Sequence, residues 1–345
     1  MATARKTSRK SSTTSISSSV GPTVSLEWEP VVPLGPRAAF HIGAVIRGAL
    51  YVHGGILESG STKPSNQLFR MDLTSTMWAE LRTPGSPALS HHAAVVSEDR
   101  YLILIGGWDG KRRTADVNVF DAQEDKWLKM EHTGFPEGAG LSSHTACQLI
   151  NGDVIIVGRE GSLRIQKKHG NVFILSGNVL SGAFRYREYS REATSRSGHT
   201  ADIVGNEIFI IGGRDDKLLE KAQGFKGTAR NQCSVISKIL ETLHGRLQSP
   251  MSKLPCGRKN HITAAGGNCL LVHGGETFDG RSREPVGEMF LISLKSPTVF
   301  YKLNTSVVGR AGHVCFVLPN KVLFHGGLSG KSTVLADLYQ LKIMA

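Results

Sequence analysis

Arg196-Ser-Gly-His199-Thr-Ala-Asp-Ile-Val-Gly-Asn-Glu-Ile-Phe-Ile-Ile-Gly212-Gly213 is the stretch that decides the fold. A polar lead opens into one apolar run, a Gly-Asn turn separates it from a second, and the second stops at paired glycines. Two apolar runs divided by turn residues predict a hairpin. Paired glycines mark a place where the backbone turns or approaches a neighbour closely.

The stretch recurs. A histidine is followed thirteen or fourteen residues later by a glycine pair in five places: His41 by Gly54 and Gly55, His92 by Gly106 and Gly107, His199 by Gly212 and Gly213, His261 by Gly274 and Gly275, and His313 by Gly326 and Gly327. A sixth copy runs from His144 to Gly158 and Arg159. The second positions of these pairs are spaced 52, 52, 54, 62 and 52 residues apart. After each pair comes a polar loop and a third apolar run, as in Asn66–Asp72 and Asp116–Asp121, then a fourth marked by an aromatic: Trp78, Trp127, Tyr186 or Phe300-Tyr301. Four strands per period of about fifty residues is the pattern of an all-β propeller, here with six blades.

A propeller has to close, because an unpaired final blade leaves strand edges exposed. The last copy supplies only three strands before Ala345. The missing strand is expected at Leu26–Val32, where Trp28 precedes His41 by the thirteen residues that separate Tyr186 from His199. One domain is therefore expected over 23–345.

Blade four is the irregular copy, with an insertion over 214–257 in which third and fourth strands are not evident. Val235, Ile236, Ile239, Leu240, Leu243 and Leu247 follow helical spacing behind Ser234, predicting a helix near 234–247. Such a helix either buries its stripe against the ring or presents it to a partner. Residues 1–22 are basic and Ser/Thr-rich with almost no large apolar groups, so a disordered tail is expected. A mitochondrial presequence shares its basic, acid-poor character but not its lack of an amphipathic face.

The net charge of +12 is partly confined to that tail, and the remainder is dispersed rather than gathered into a basic helix. It suits an acidic protein partner better than nucleic acid. No run approaches the length of a membrane-spanning helix, so no membrane partner is expected. Five cysteines without C-x-x-C spacing argue against a disulfide framework or a zinc site, and place the chain in the cytoplasm or nucleus.

The six histidines fall at one equivalent place per blade, so the ring spreads them apart instead of gathering them round a metal. They read as structural, together with the glycines. No G-x-S-x-G, P-loop, G-x-G-x-x-G or H-E-x-x-H is present, so neither an enzyme nor a cofactor is expected. Arg196, Arg258 and Arg310 each lie three residues before the repeat histidine, and Arg37 lies four before its own. Either they converge on the propeller mouth and grip a carboxylate, or each pairs locally with an acidic loop residue. Residues after the glycines, Trp108, Arg159, Arg214 and Glu276, are expected on the same mouth.

These motifs resemble kelch repeats across residues 26–345. Gly-Gly-Trp-Asp-Gly at 106–110, Gly-Leu-Ser-Ser-His-Thr at 140–145, Val-Gly-Arg-Glu-Gly at 157–161, Ser-Arg-Ser-Gly-His at 195–199 and Gly-Gly-Glu-Thr at 274–277 are similar to the small kelch domain-containing protein 9 family. The resemblance implies a six-bladed kelch propeller acting as a non-enzymatic interaction module, adaptor or scaffold, and a monomer is expected. It also implies a protein partner, a cyclin among the candidates, or an acidic segment or chain end gripped at the mouth. Many kelch proteins are substrate receptors of cullin-type ubiquitin ligases. In this chain the helix near 234–247 is the element expected to recruit a ligase in that alternative.

Overall fold

The computed structural model describes residues 26–158, 172–190, 196–213, 219–227, 233–246, 248–253, 255–277, 284–303, 308–330 and 333–343. The tail 1–22 lies outside them, as do Arg159 and Arg214.

Six antiparallel sheets stand round a central channel. Blade 1 is Ile42–Ile46, Ala49–His53, Leu68–Asp72 and Met77–Glu80, in that order from the channel outward. Blades 2, 3 and 5 repeat the order, starting from Ala93–Ser97, Thr145–Gln148 and Ile262–Gly266. Blade 3 gains a fifth strand, Glu131–Thr133, parallel to its outer strand Ala183–Ser190. Every inner strand runs from the repeat histidine, on what we call the upper face, to a hairpin turn on the lower face.

Closure follows the sequence expectation. Leu26–Val32 pairs antiparallel with Leu338–Ile343, Trp28 opposite Leu341, and completes blade 6 outside Lys321–His325 and Val314–Leu318. Tyr101–Trp108 shows why the second strands are apolar throughout: Tyr101 to Gly107 are all buried, because both faces of each sheet pack against neighbouring blades.

The glycine pair was expected to end the second strand, and blade 2 departs from that. In blade 1 the strand does stop at His53, before Gly54. In blade 2 it runs on through Gly106 and Gly107 to Trp108, with the register against Arg113–Asp121 shifting between Ile105 and Gly107. Gly106 stands opposite two residues of the third strand, Ala115 and Asp116, so the extra residue of the bulge lies on that neighbour and the second strand continues through its glycines instead of stopping. The long third strand of this blade, which reaches up to Arg113, supplies the extra partner.

Blade 4 departs from the expectation in one respect. A third strand, Leu219–Gln223, pairs with Glu207–Ile211, although Leu-Glu-Lys-Ala-Gln carries helix-forming residues. Pairing with a buried neighbour overrides that local preference. Among the described residues no fourth strand follows.

The insertion instead places a helix, α1 (Ser234–Gly245), between blades 5 and 6. Ile236, Ile239, Leu240 and Leu243 are buried against Leu271 and Leu291 of blade 5 and against Leu26, Phe324 and Leu341 of blade 6. Ser234 anchors its start, the Oγ donating to Pro319 O at 2.8 Å. The helix is a wedge in the ring, and its apolar stripe is not offered to a partner.

Candidate functional site

The upper mouth is assembled from the residues around each repeat histidine. Its innermost layer is the residue immediately before: Phe40, His91, Ser143, Gly198, Asn260 and Gly312. All six are left-handed, with φ of 55°, 54°, 53°, 69°, 56° and 63°. That conformation turns each peptide along the circumference. Phe40 N donates to Gly312 O (2.7 Å), His91 N to Phe40 O (2.9 Å), Ser143 N to His91 O (2.9 Å), Gly198 N to Ser143 O (2.8 Å), Asn260 N to Gly198 O (2.7 Å) and Gly312 N to Asn260 O (2.8 Å). Six backbone hydrogen bonds, one per seam, form a closed circle. Left-handed geometry costs a residue with a side chain about 1–2 kcal/mol, and here it recurs once per blade.

The histidines and glycines interlock beneath this circle. A Cβ on Gly274 would lie 2.5 Å from Arg310 O and 2.8 Å from the Cε1 of His313, both in the next blade. A Cβ on Gly275 would lie 2.8 Å from the Cβ of His261 in its own blade. The first glycine thus admits the next blade's histidine, and the second admits its own. Gly275 N also donates to Arg310 O at 2.9 Å, tying consecutive blades by backbone.

Gly54 and Gly55 repeat the arrangement: a Cβ on Gly54 would strike Leu89 O and stand 2.9 Å from the Cε1 of His92, and one on Gly55 would stand 2.8 Å from the Cβ of His41. At Gly106 the obstacle changes. Its nearest neighbour is the Leu141 side chain, whose Cβ would be 2.6 Å away, with the Cε1 of His144 further off at 3.2 Å. Beside the register shift, the histidine contact at Gly106 is thus slightly longer, while the close Leu141 keeps the glycine obligatory.

Two kinds of seam follow. At three of them the residue before the glycine pair is itself histidine, and it shares a hydrogen bond with the next blade's repeat histidine: His53 with His92 (3.1 Å), His273 with His313 (2.9 Å) and His325 with His41 (3.0 Å). A tryptophan from the next blade's outer strand packs against each: Trp127 at 5.4 Å, Trp28 at 5.0 Å and Trp78 at 5.4 Å between ring centroids. At the other three seams that residue is Ile105, Val157 or Ile211. His199 and His261 there bond Thr145 Oγ1 and Thr200 Oγ1, both at 3.1 Å. Burial pushes these imidazoles toward the neutral form, to about 4 at His144, about 3 at His199, and well below the ordinary value at His41, His92, His261 and His313.

The three arginines do not reach the mouth, which corrects one of the two readings left open by their spacing. Arg196, Arg258 and Arg310 are buried, and the Nη1 of each donates to the first-glycine carbonyl of its own blade: Gly212 (3.0 Å), Gly274 (3.0 Å) and Gly326 (3.1 Å). Arg258 also pairs with Glu288, and Arg310 with Asp337 at 2.8 Å. The planar forks of Arg258 and Arg310 bind carbonyl and carboxylate together, and the burial of all three guanidinium groups keeps them from a partner at the mouth.

Arg37 stands apart because Ala38 occupies the place the arginines take in blades 4 to 6; its side chain is exposed. Trp108 is half-buried, its Nε1 donating to Thr62 O at 2.8 Å and so locking the loops of blades 1 and 2 together. Glu276 does lie at the mouth, accepting from Lys259 Nζ at 2.6 Å and Asn260 Nδ2 at 3.2 Å. Over the backbone circle a recess of about 170 Å3 is bounded by Phe40, His91, Ser143, Lys259, Asn260 and Glu276. The Phe40 and His91 rings stack there at 4.2 Å. Apart from Glu276, sequence reasoning missed these residues. For Phe40, His91, Ser143 and Asn260 the signal was the position directly before each repeat histidine, which holds no single residue type and so shows no repeat.

Residues 19–158 match the family model described as the KLHDC2/KLHL20/DRC7 kelch-repeats domain. Kelch domain-containing protein 9 of Mus musculus is 30% identical over 317 residues, covering 87% of this chain and 90% of that protein. The chain belongs to the kelch-repeat family. The human kelch domain-containing protein 9 is 28% identical over the same 87% of the chain. The solved structure titled "Structure of YjhT" superimposes with a TM-score of 0.63, covering 91% of this chain at 16% identity, and supports the kelch fold alone. Kelch repeats thus account for the blades.

Proposed function

We propose that this protein is a cytoplasmic or nuclear interaction module, without catalytic activity, that binds a protein partner on the upper face of its kelch propeller. The observation that carries the reading is the size and lining of the recess. Pockets that hold small-molecule substrates commonly run to roughly 300–1,000 Å3, whereas about 170 Å3 suits one or two side chains or a chain end. The stacked Phe40–His91 pair supplies apolar surface, and Lys259, held by Glu276, supplies a cation that an incoming carboxylate can claim by exchange. Exposed Arg37 and half-exposed Trp108 extend that face. Similarity to kelch domain-containing protein 9 makes a cyclin the first partner to test. A ubiquitin-ligase receptor role draws less support, since the helix expected to recruit a ligase is packed inside the ring.

The test is affinity capture with Phe40→Asn/His91→Asn, which removes the aromatic surface while keeping residues that tolerate left-handed geometry. The variant should keep its thermal midpoint and lose the partner, with cyclins probed directly. Capture equal to wild type would reject the reading.

A further inference from the structure

The channel beneath the circle is a separate space. It has a volume of about 560 Å3 and reaches the lower face, where Asp99 and Pro319 stand at its rim. The second residue after each repeat histidine is Gly43, Ala94, Ala146, Ala201, Thr263 or Cys315, and all six line the channel. Nothing longer than a threonine fills that level of the ring.

Its charge is one-sided. In a chain of net charge +12, the charged side chains lining the channel, among the described residues, are Asp99 and Asp202, with no lysine, arginine or histidine. Asp99 is a rim residue already engaged, its Oδ1 accepting from Arg47 N at 3.1 Å. Asp202 lies in the wall. Its Oδ2 accepts from Thr263 Oγ1 of blade 5, and among the described residues no hydrogen bond reaches its Oδ1. The adjacent thiols do not help: Cys147 Sγ donates to Ala201 O and Cys315 Sγ to Thr263 O, both at 3.3 Å. Asp202 is half-buried in the channel wall, and its one cross-blade hydrogen bond only partly offsets the water it has lost there. Accordingly its pKa is raised by burial to about 6.

We propose that the channel binds a small alkylammonium ion, entering from the lower face, whose charged end pairs with the open oxygen of Asp202 while its methylenes lie along the small side chains. The site is on the face opposite the recess and does not depend on it. Binding selects the ionised carboxylate, so it weakens as pH falls below about 6, and below that value ligand uptake releases a proton.

The experiment is calorimetric titration of the full chain with 1,4-diaminobutane, run beside its neutral analogue 1,4-butanediol. The expected result is saturable one-site binding of the amine, at least tenfold weaker for the diol. Binding should fall at least tenfold in Asp202→Asn, and proton release near pH 6 should appear in buffers of different ionisation enthalpy. If Asp202→Asn does not fold, Ala94→Leu, which fills the channel from blade 2, takes its place and should abolish binding. Equal affinity for amine and diol, undiminished binding in either variant, or no binding at all overturns the proposal.

Discussion

The Nε2 of His41 lies 3.0 Å from the Nδ1 of His325, across the seam where the N-terminal strand completes the last blade. One of the two must donate and the other accept, so the bond requires at least one neutral imidazole, and burial keeps both uncharged. Two further pairs, His53–His92 and His273–His313, work in the same way.

Acid should therefore undo this propeller early. The folded pKa is about 3 at His53, His199 and His273 and about 4 at His144 and His325, against 6.5 for a free imidazole. The unfolded chain binds protons that the folded chain refuses, so stability is intact above about pH 6.5 and falls as pH drops from there toward 3–4. Each such histidine costs ~1.4 kcal/mol per pH unit in that window. Asp202, whose raised pKa works in the opposite sense, offsets only one of them. Thermal midpoints measured from pH 8 to 5 should drop steeply below 6.5; a flat profile would contradict the buried neutral pairs.

Gly274→Ala should destabilise by about 3 kcal/mol or more, because the new Cβ meets Arg310 O at 2.5 Å in a residue with φ of 74°. Gly48 has nearly the same φ, 76°, but nothing within 4 Å of an added Cβ. Gly48→Ala should cost only the backbone term, about 1–2 kcal/mol. Urea unfolding of the two variants separates close packing from conformational strain.

Arg258→Ala should cost about 3–5 kcal/mol, since it strands Glu288 and the Gly274 carbonyl and removes a guanidinium 4.8 Å from the Phe290 ring. Arg37→Ala should change stability by less than ~0.5 kcal/mol. Denaturation curves decide this: if Arg258→Ala were as stable as wild type, the arginine would not be the internal brace its contacts describe.

Leu243→Ala in the helix should cost about 2–5 kcal/mol, the range for emptying a packed core position. Glu241→Ala, on the exposed side, should be close to neutral. Equal, small effects in calorimetry would mean that the helix is appended to the ring rather than wedged within it.

The blade count and the closing strand were legible because they rest on residue types that recur: the histidine, the paired glycines and the outer aromatic. Three of the six pairs are also preceded by histidine, in Val-His-Gly-Gly at 52–55 and 272–275 and Phe-His-Gly-Gly at 324–327, a signal that marks the histidine seams once one looks for it. The glycines alone did not fix where a strand ends, since Gly54 follows a strand and Gly106 sits inside one; the length of the neighbouring third strand makes the difference. The arginines misled for a geometric reason. Spacing placed their backbones correctly at the mouth, but a side chain that long folds back sixteen residues along the chain to the glycine carbonyl. The backbone circle was invisible because Phe40, His91, Ser143, Gly198, Asn260 and Gly312 share a conformation and not a composition. Asp202 was unreadable for a related cause: its partner Thr263 lies 61 residues away and a blade apart.

The pairing of Leu26–Val32 with Leu338–Ile343 also sets a timetable for synthesis. The strand that finishes the ring is the first of the ring to be made, and its partner is the last. Until that partner exists, blades 1 to 5 can mature beside a strand with nowhere to dock, and any defect in Leu338–Ile343 leaves that early strand orphaned. Damage to the first or the last strand of the ring is thus damage to the same sheet.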